Sequence, residues 1–126
     1  MKPIVVDTSV VSFLFKNDSR ARSYLGHLYD RQWLICFMTE AELEQWALLS
    51  NWHSKRISWL RIFLARFVIV PSSHDLVLKW AEVMVAGRRA GRRRETADAW
   101  IAATAVLYDA PLITHNASDY SLGFPG

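Results

Sequence analysis

Four acidic residues, Asp7, Glu42, Asp98 and Asp119, are the side chains of this sequence best suited to do chemistry. Singly, each has an ordinary explanation. Thr39-Glu40-Ala41-Glu42 fits a capping box, in which the glutamate returns to the backbone N–H of the cap. Asp98 suits the positive end of a helix dipole, Asp7 a helix N-cap and Asp119 an Asx turn. Gathered in one place they would behave differently. Two carboxylates about 5 Å apart repel by roughly 3 kcal/mol at an effective dielectric near 20, so a group of four calls for a cation or a proton. Oxygen donors without imidazole or thiolate favour a hard ion, Mg2+ or Mn2+. Such an ion keeps its waters, bridges phosphate oxygens and makes water a stronger nucleophile.

Whether the acids gather depends on the elements that carry them. Residues 2–6 are a short apolar run with β-branched side chains and read as a buried strand. Thr8-Ser9 opens a helix to about residue 15, and Asn17-Asp18-Ser19 supplies a turn and the next cap. A second helix is expected to carry Tyr24, Leu25, Leu28 and Tyr29 on one face. Residues 33–38 read as the second strand, followed by helices over 39–50 and 54–66. Residues 67–70 form the third strand, and Ser73 or Asp75 caps a helix to about residue 86. A helix over 96–108 and a fourth strand over 111–114 follow. Strands alternating with helices, each strand a continuous apolar run, predict a parallel sheet covered on both faces. Right-handed crossovers then bring the helix N-termini to the carboxyl edge of the sheet, where ligands bind in open α/β folds. All four acids fall at that edge.

The composition narrows the class. A chain of 126 residues, 52% hydrophobic and 21% charged, supports one packed core, so residues 1–126 are expected to form a single domain. No apolar run approaches the roughly 18–20 residues needed to span a bilayer. Asp7 interrupts the first apolar stretch too early for a signal peptide, and the lone Cys36 allows no internal disulfide. The expectation is a soluble, cytoplasmic protein. Net charge is only +3, yet Arg88, Arg89, Arg92, Arg93 and Arg94 place five of the 15 basic residues in one window. The guanidinium fork matches phosphate and carboxylate oxygens in pairs, so the cluster suits nucleic acid or an acidic protein segment; a solvated helix end or loop is the ordinary alternative. Lying just upstream of Asp98, it points to metal-assisted cleavage of a phosphodiester. Trp46, Trp52 and Trp59 are candidates for an interface or for core packing, and Trp33 and Trp100 are assigned to the core.

Four segments resemble a known family. They are Val5-Val6-Asp7-Thr8-Ser9, Thr39-Glu40-Ala41-Glu42-Leu43, Asp98-Ala99-Trp100-Ile101-Ala102-Ala103-Thr104-Ala105 and Leu112-Ile113-Thr114-His115-Asn116-Ala117-Ser118-Asp119-Tyr120. In this order and spacing they are similar to the PIN domain, and within it to the VapC-type ribonuclease toxins of toxin–antitoxin pairs. The resemblance covers essentially the whole chain. It implies a three-layer α/β/α fold with a central parallel sheet of four to five strands, a homodimer, and bound Mg2+ or Mn2+. It also implies endoribonuclease activity held in check by a cognate antitoxin, with products carrying a 3′-hydroxyl and a 5′-phosphate. Asp7, Glu42 and Asp98 fall on the family's three principal acids, and Asp119 on its more variable fourth. Glu42, directly before the leucine, matches better than Glu40. Thr8, Ser9 and Thr114 would hold ligands or water, and Asn116, standing where many relatives place an acid, would orient water or bind metal weakly through its amide. Two other readings compete: histidine acid–base chemistry, for which only His115 among His27, His53, His74 and His115 lies near the edge, and an inactive RNA- or protein-binding module.

Overall fold

The computed structural model describes residues 1–115. Four parallel strands form its sheet: β1 (Lys2–Val6), β2 (Arg31–Cys36), β3 (Val68–Val70) and β4 (Leu112–Ile113), in the order β3-β2-β1-β4. The register runs from Lys2 opposite Arg31 to Val5 opposite Leu34, with Leu34 opposite Val68 and Val6 opposite Ile113. The helices are α1 (Thr8–Lys16), α2 (Leu25–Leu28), α3 (Phe37–Leu49), α4 (Ser54–Leu64), α5 (His74–Arg89) and α6 (Thr96–Leu107), with a 3-10 turn at Ser19–Ser23.

Side-chain alternation along β1 builds the three expected layers. Ile4 and Val6 face one side and pack with Val10, Val11 and Phe15 of α1, Leu43 of α3 and Leu60 and Phe63 of α4. Val5 faces the other side with Leu34, Cys36 and Val70, under Ile101 and Ala105 of α6. Helix α5 then covers α6, setting Leu76 and Val83 against Ala99, Ala102 and Ala103. Helix α6 is thus enclosed on both sides, which explains its alanines: small side chains let the sheet and α5 approach it closely.

Four helices close with the same pair of backbone bonds, the Schellman pattern, around a left-handed residue: Asn17, Asn51, Gly91 and Asp109. Asp18 caps the 3-10 turn as expected, its side chain accepting from the Arg20 N–H. Ser73, rather than Asp75, caps α5 through the Leu76 N–H.

Three expectations need correction. The second strand spans Arg31–Cys36, two residues earlier than the sequence pattern suggests, and α3 begins at Phe37. Cys36 is its N-cap, with Sγ accepting from the Met38 N–H at 3.4 Å. The apolar Phe37 and Met38 prolong the strand pattern in the sequence because they pack from the first helical turn onto the α6 side of the sheet. The face expected over Tyr24, Leu25, Leu28 and Tyr29 does not form. Residues 19–23 wind as a 3-10 turn and α2 is a single turn, leaving Leu28 buried but Leu25 51% and Tyr29 84% exposed. Helix α5 runs on to Arg89, so Arg88 and Arg89 belong to its last turn, where cations complement the helix dipole.

The tryptophans divide. Trp46 and Trp52 pack edge-to-face on each other, with centroids 4.6 Å apart, and both contact Phe15. Trp59 is 49% exposed. Trp33 packs on Phe67 and Trp100 stacks on Trp80, each half-buried.

Candidate active site

Strand order reverses beside β1: β2 and β3 step away on one side and β4 lies on the other. In open α/β sheets the crevice at such a switch point, beyond the carboxyl ends of the strands, is where ligands bind. Asp7 follows β1 directly, and its backbone N–H donates to Ile113 O at 3.0 Å, tying it to β4. Asp7 occupies the N-cap position of α1 but makes no side-chain cap. Its carboxylate Oδ2 instead accepts from Thr114 Oγ1 at 2.7 Å and Ser9 Oγ at 3.0 Å. The residue is only 5% exposed.

Glu42 approaches from α3. Because that helix begins at Phe37, Glu42 is its sixth residue and no longer fits a capping box, which removes the ordinary explanation for this acid. Glu42 Oε1 accepts from Thr8 Oγ1 at 2.7 Å, and the Thr8 and Thr39 hydroxyls share a 3.0 Å hydrogen bond. Thr39 is fully buried, so the glutamate rests on a fixed pair of hydroxyls. Burial pushes the Glu42 carboxyl above its ordinary range; the Thr8 hydrogen bond opposes this, and the negative charges of Asp7 and Asp98 add to it. Glu42 therefore feels the charge of two acids held by other parts of the chain. Glu40, in the first turn of α3, instead lines a separate cavity with Glu44 and Arg61.

Asp98 lies in the first turn of α6, whose N-cap position is taken by Glu95 without a side-chain cap. It lines a cavity of about 460 Å³ with Arg92, Arg93, Arg94 and Glu95. The arginine cluster thus divides at Gly91. Arg92, Arg93 and Arg94 open onto Asp98, whereas Arg88 and Arg89 remain on the exposed end of α5. Asn116 and Asp119 lie outside the described residues.

The donors that face the crevice are carboxylates and hydroxyls, a set suited to a hard divalent ion. Glu42, raised by burial and by its like-charged neighbours, is a group that a cation would relieve. Among the described residues, no three His, Cys, Asp or Glu side chains stand close enough as placed to form a finished metal cage. Cys36 is buried, and burial pushes its thiol up, which disfavours the thiolate a cysteine nucleophile would need.

One supporting arrangement has no signal in the sequence. Tyr24 Oη and His115 Nδ1 are hydrogen-bonded at 2.8 Å across 91 residues, and the His115 ring meets Phe13 edge-to-face at 5.2 Å. Arg20 also packs on Phe13, its guanidinium 4.0 Å from the ring centroid. This frame grips the residue next to Thr114, whose hydroxyl holds Asp7. His115 does reach the edge, as expected, but its Nδ1 is engaged by tyrosine.

Carboxylates at the switch point of a parallel α/β sheet place a group of cation-attracting side chains where such folds bind their ligands. The PIN domain family matches residues 4–121, and the chain belongs to that family. It is similar to Ribonuclease VapC1 of Haemophilus influenzae strain R2866, at 27% identity over 121 residues, covering 92% of this chain and 88% of that protein. Among solved structures, a toxin-antitoxin complex from Klebsiella pneumoniae aligns with TM-score 0.74 and 27% identity, covering 97% of this chain and 92% of that one. DNA-bound VapBC from Salmonella typhimurium aligns with TM-score 0.84 and 20% identity, over 100% and 95% of the two chains, and corroborates the fold.

Proposed function

We propose that this chain is an endoribonuclease, dependent on a divalent metal ion, that acts as the toxin of a toxin–antitoxin pair. The convergence of Asp7, Glu42 and Asp98 on the switch point, beside an arginine-lined cavity, carries this conclusion. The similar Haemophilus protein is named a ribonuclease, and the similar Klebsiella chain comes from a toxin-antitoxin complex. PIN-domain ribonucleases of this kind are metal-dependent in general. RNA is the substrate, an antitoxin the inhibitory partner and a homodimer the assembly we expect of the single domain. Among the described residues no helix is long and apolar enough to cross a membrane, and we place its action in the cytoplasm, where RNA is plentiful.

Asp7, Glu42 and Asp98, with Asp119, would hold Mg2+ or Mn2+. Bound there, the ion supplies charge neutralisation at the scissile phosphate and activation of water. The chain's own residues do the positioning. Thr114 and Ser9 fix the Asp7 carboxylate, Thr8 fixes Glu42, and Arg92, Arg93 and Arg94 draw in the RNA backbone. Asn116 is assigned to orienting water.

The test is incubation of purified protein with total RNA, with Mg2+ or Mn2+ and with chelator, followed by mapping of the cut ends. Metal-dependent cuts leaving 5′-phosphate and 3′-hydroxyl ends are expected. Chelator-resistant cleavage leaving cyclic phosphates would replace this mechanism with histidine chemistry. No cleavage, together with no thermal shift in either ion, would make the chain an inactive binding module.

Two further outcomes follow from the geometry. Thr114→Val removes a hydroxyl from Asp7 and is expected to lower the initial cleavage rate by about 10–100-fold, as is typical for groups that orient metal ligands. Replacing Arg92, Arg93 and Arg94 together with glutamine is expected to weaken oligonucleotide binding and flatten its log–log salt dependence by roughly 0.7 for each phosphate left unneutralised. An unchanged slope in fluorescence anisotropy would return these arginines to a solvated role.

A further inference from the structure

The turn joining α5 to α6 is seated on a glycine. Gly91 takes a left-handed φ of 75°, its N–H donates to Arg88 O at 3.1 Å, and the Arg92 N–H donates to Gly87 O at 2.8 Å. The chain therefore folds back over Gly87, a buried position within α5. A Cβ at Gly87 would stand 3.1 Å from Arg92 O, 3.2 Å from Arg94 Nε and 3.3 Å from Arg94 Cγ. Any other residue at position 87 would crowd Arg94 and the Arg92 carbonyl, and one or both would have to give way by a few tenths of an ångström. Glycine is disfavoured inside a helix, and close approach of a neighbour is the usual reason to find it there. From this seat Arg94, half-buried, reaches the wall of the 460 Å³ cavity that it shares with Arg92, Arg93, Glu95 and Asp98.

We infer that this cavity is a subsite for one backbone phosphate of the RNA, adjacent to the phosphate that is cleaved, and that Gly87 is its positioning residue, seating Arg94 in the wall. The inference rests on the ribonuclease function proposed above. Adjacency follows from Asp98, which belongs both to this wall and to the acidic edge. A phosphodiester spreads one charge over two oxygens, the geometry a guanidinium fork matches. A carboxylate from an acidic peptide would meet Glu95 and Asp98 in the same wall without the divalent ion that accompanies RNA.

The test is Gly87→Ala in the full chain, with Arg94→Gln beside it. For Gly87→Ala, KM for a single-stranded RNA is expected to rise about tenfold while kcat at saturation stays within about twofold. Binding of a fluorescent, uncleavable oligonucleotide, measured at one fixed Mg2+ concentration, should show a log–log monovalent-salt slope shallower by about 0.7, the value for one phosphate on a single strand. Arg94→Gln should show the same slope change, and Gly87→Ala added to it should weaken binding no further. Wild-type KM and slope in Gly87→Ala, or a fall in kcat alone, would overturn the inference. Should Gly87→Ala fail to fold, a wild-type slope in Arg94→Gln would overturn it equally. An Arg94→Gln protein that loses affinity for polyglutamate but not for the oligonucleotide would assign the cavity to an acidic protein instead. Wild-type protein that binds the oligonucleotide with the expected slope but never cuts RNA would contradict the ribonuclease function and leave the subsite standing.

Discussion

Asp7→Asn is expected to reduce RNA cleavage by on the order of 10²–10³-fold while preserving the fold, the range seen when a preorganised electrostatic group is removed from an active site. Asparagine has the same shape and keeps one carbonyl oxygen, which can continue to accept from Thr114 and Ser9. What disappears is the charge, at a position only 5% exposed and therefore poorly screened by water. Two measurements separate this from simple damage. Wild-type protein with Mg2+ or Mn2+ at 100 times its Kd should gain roughly 2.7 kcal/mol of stability, and the variant should lose most of that gain. Without divalent ions the variant should melt no lower than wild type, because one source of repulsion on Glu42 has gone. Full cleavage by Asp7→Asn in a nuclease-free preparation would remove the metal-site assignment altogether.

The positions of these acids are legible in the sequence because the sheet is. Residues 2–6 are a clean apolar run, so the chain has to leave the sheet at Asp7. Because the strands are parallel, α3, which follows β2, and α6, which leads into β4, both start at that edge, and this brings Glu42 and Asp98 there. Helix boundaries are harder. The start of α3 lies two residues before the point that the pattern suggests because its cap is a cysteine thiol, a weak acceptor outside the usual cap residues, while Thr39-Glu40-Ala41-Glu42 imitates a capping box further on. The end of α5 lies beyond its expected place because its arginines read as a loop; Gly91, the left-handed terminator, marks the true end. Contacts such as Tyr24 with His115 join residues 91 apart and have no periodic signature. The seat at Gly87 is of the same kind: its glycine is visible in the sequence, but not the arginine lying across it.

The alanines of α6 link packing to function. Ala99, Ala102, Ala103 and Ala105 are almost wholly buried, so the helix that carries Asp98 is clamped between the sheet and α5. An acid in the first turn of such a helix has little freedom to drift from Asp7 and Glu42. Rigid support of this sort is what a site that must hold an ion at short, fixed distances requires.

Glu42→Gln should separate stability from activity. Burial and then the charges of Asp7 and Asp98 raise the carboxyl in the folded protein above the ordinary glutamate value of 4.5, against the pull of the Thr8 hydrogen bond. The folded state consequently holds this proton more tightly than the unfolded chain does. Where the folded state binds more protons, stability falls as pH rises, so the effect begins near 4.5, grows until pH passes the raised folded value and is complete above it. At pH 7, on the alkaline side of the ordinary value, this linkage thus weakens the metal-free fold. Glutamine keeps a carbonyl for the 2.7 Å bond from Thr8 and removes the charge. In chelator at pH 7, Glu42→Gln should therefore melt above wild type, with the difference closing as pH falls below 4.5. Mg2+ or Mn2+ should reverse the order, stabilising wild type more than the variant, and RNA cleavage should fall by on the order of 10²–10³-fold. A variant that melts lower than wild type in chelator, or that gains as much from divalent ions, would show that Glu42 is a structural acid and that the ion is held elsewhere.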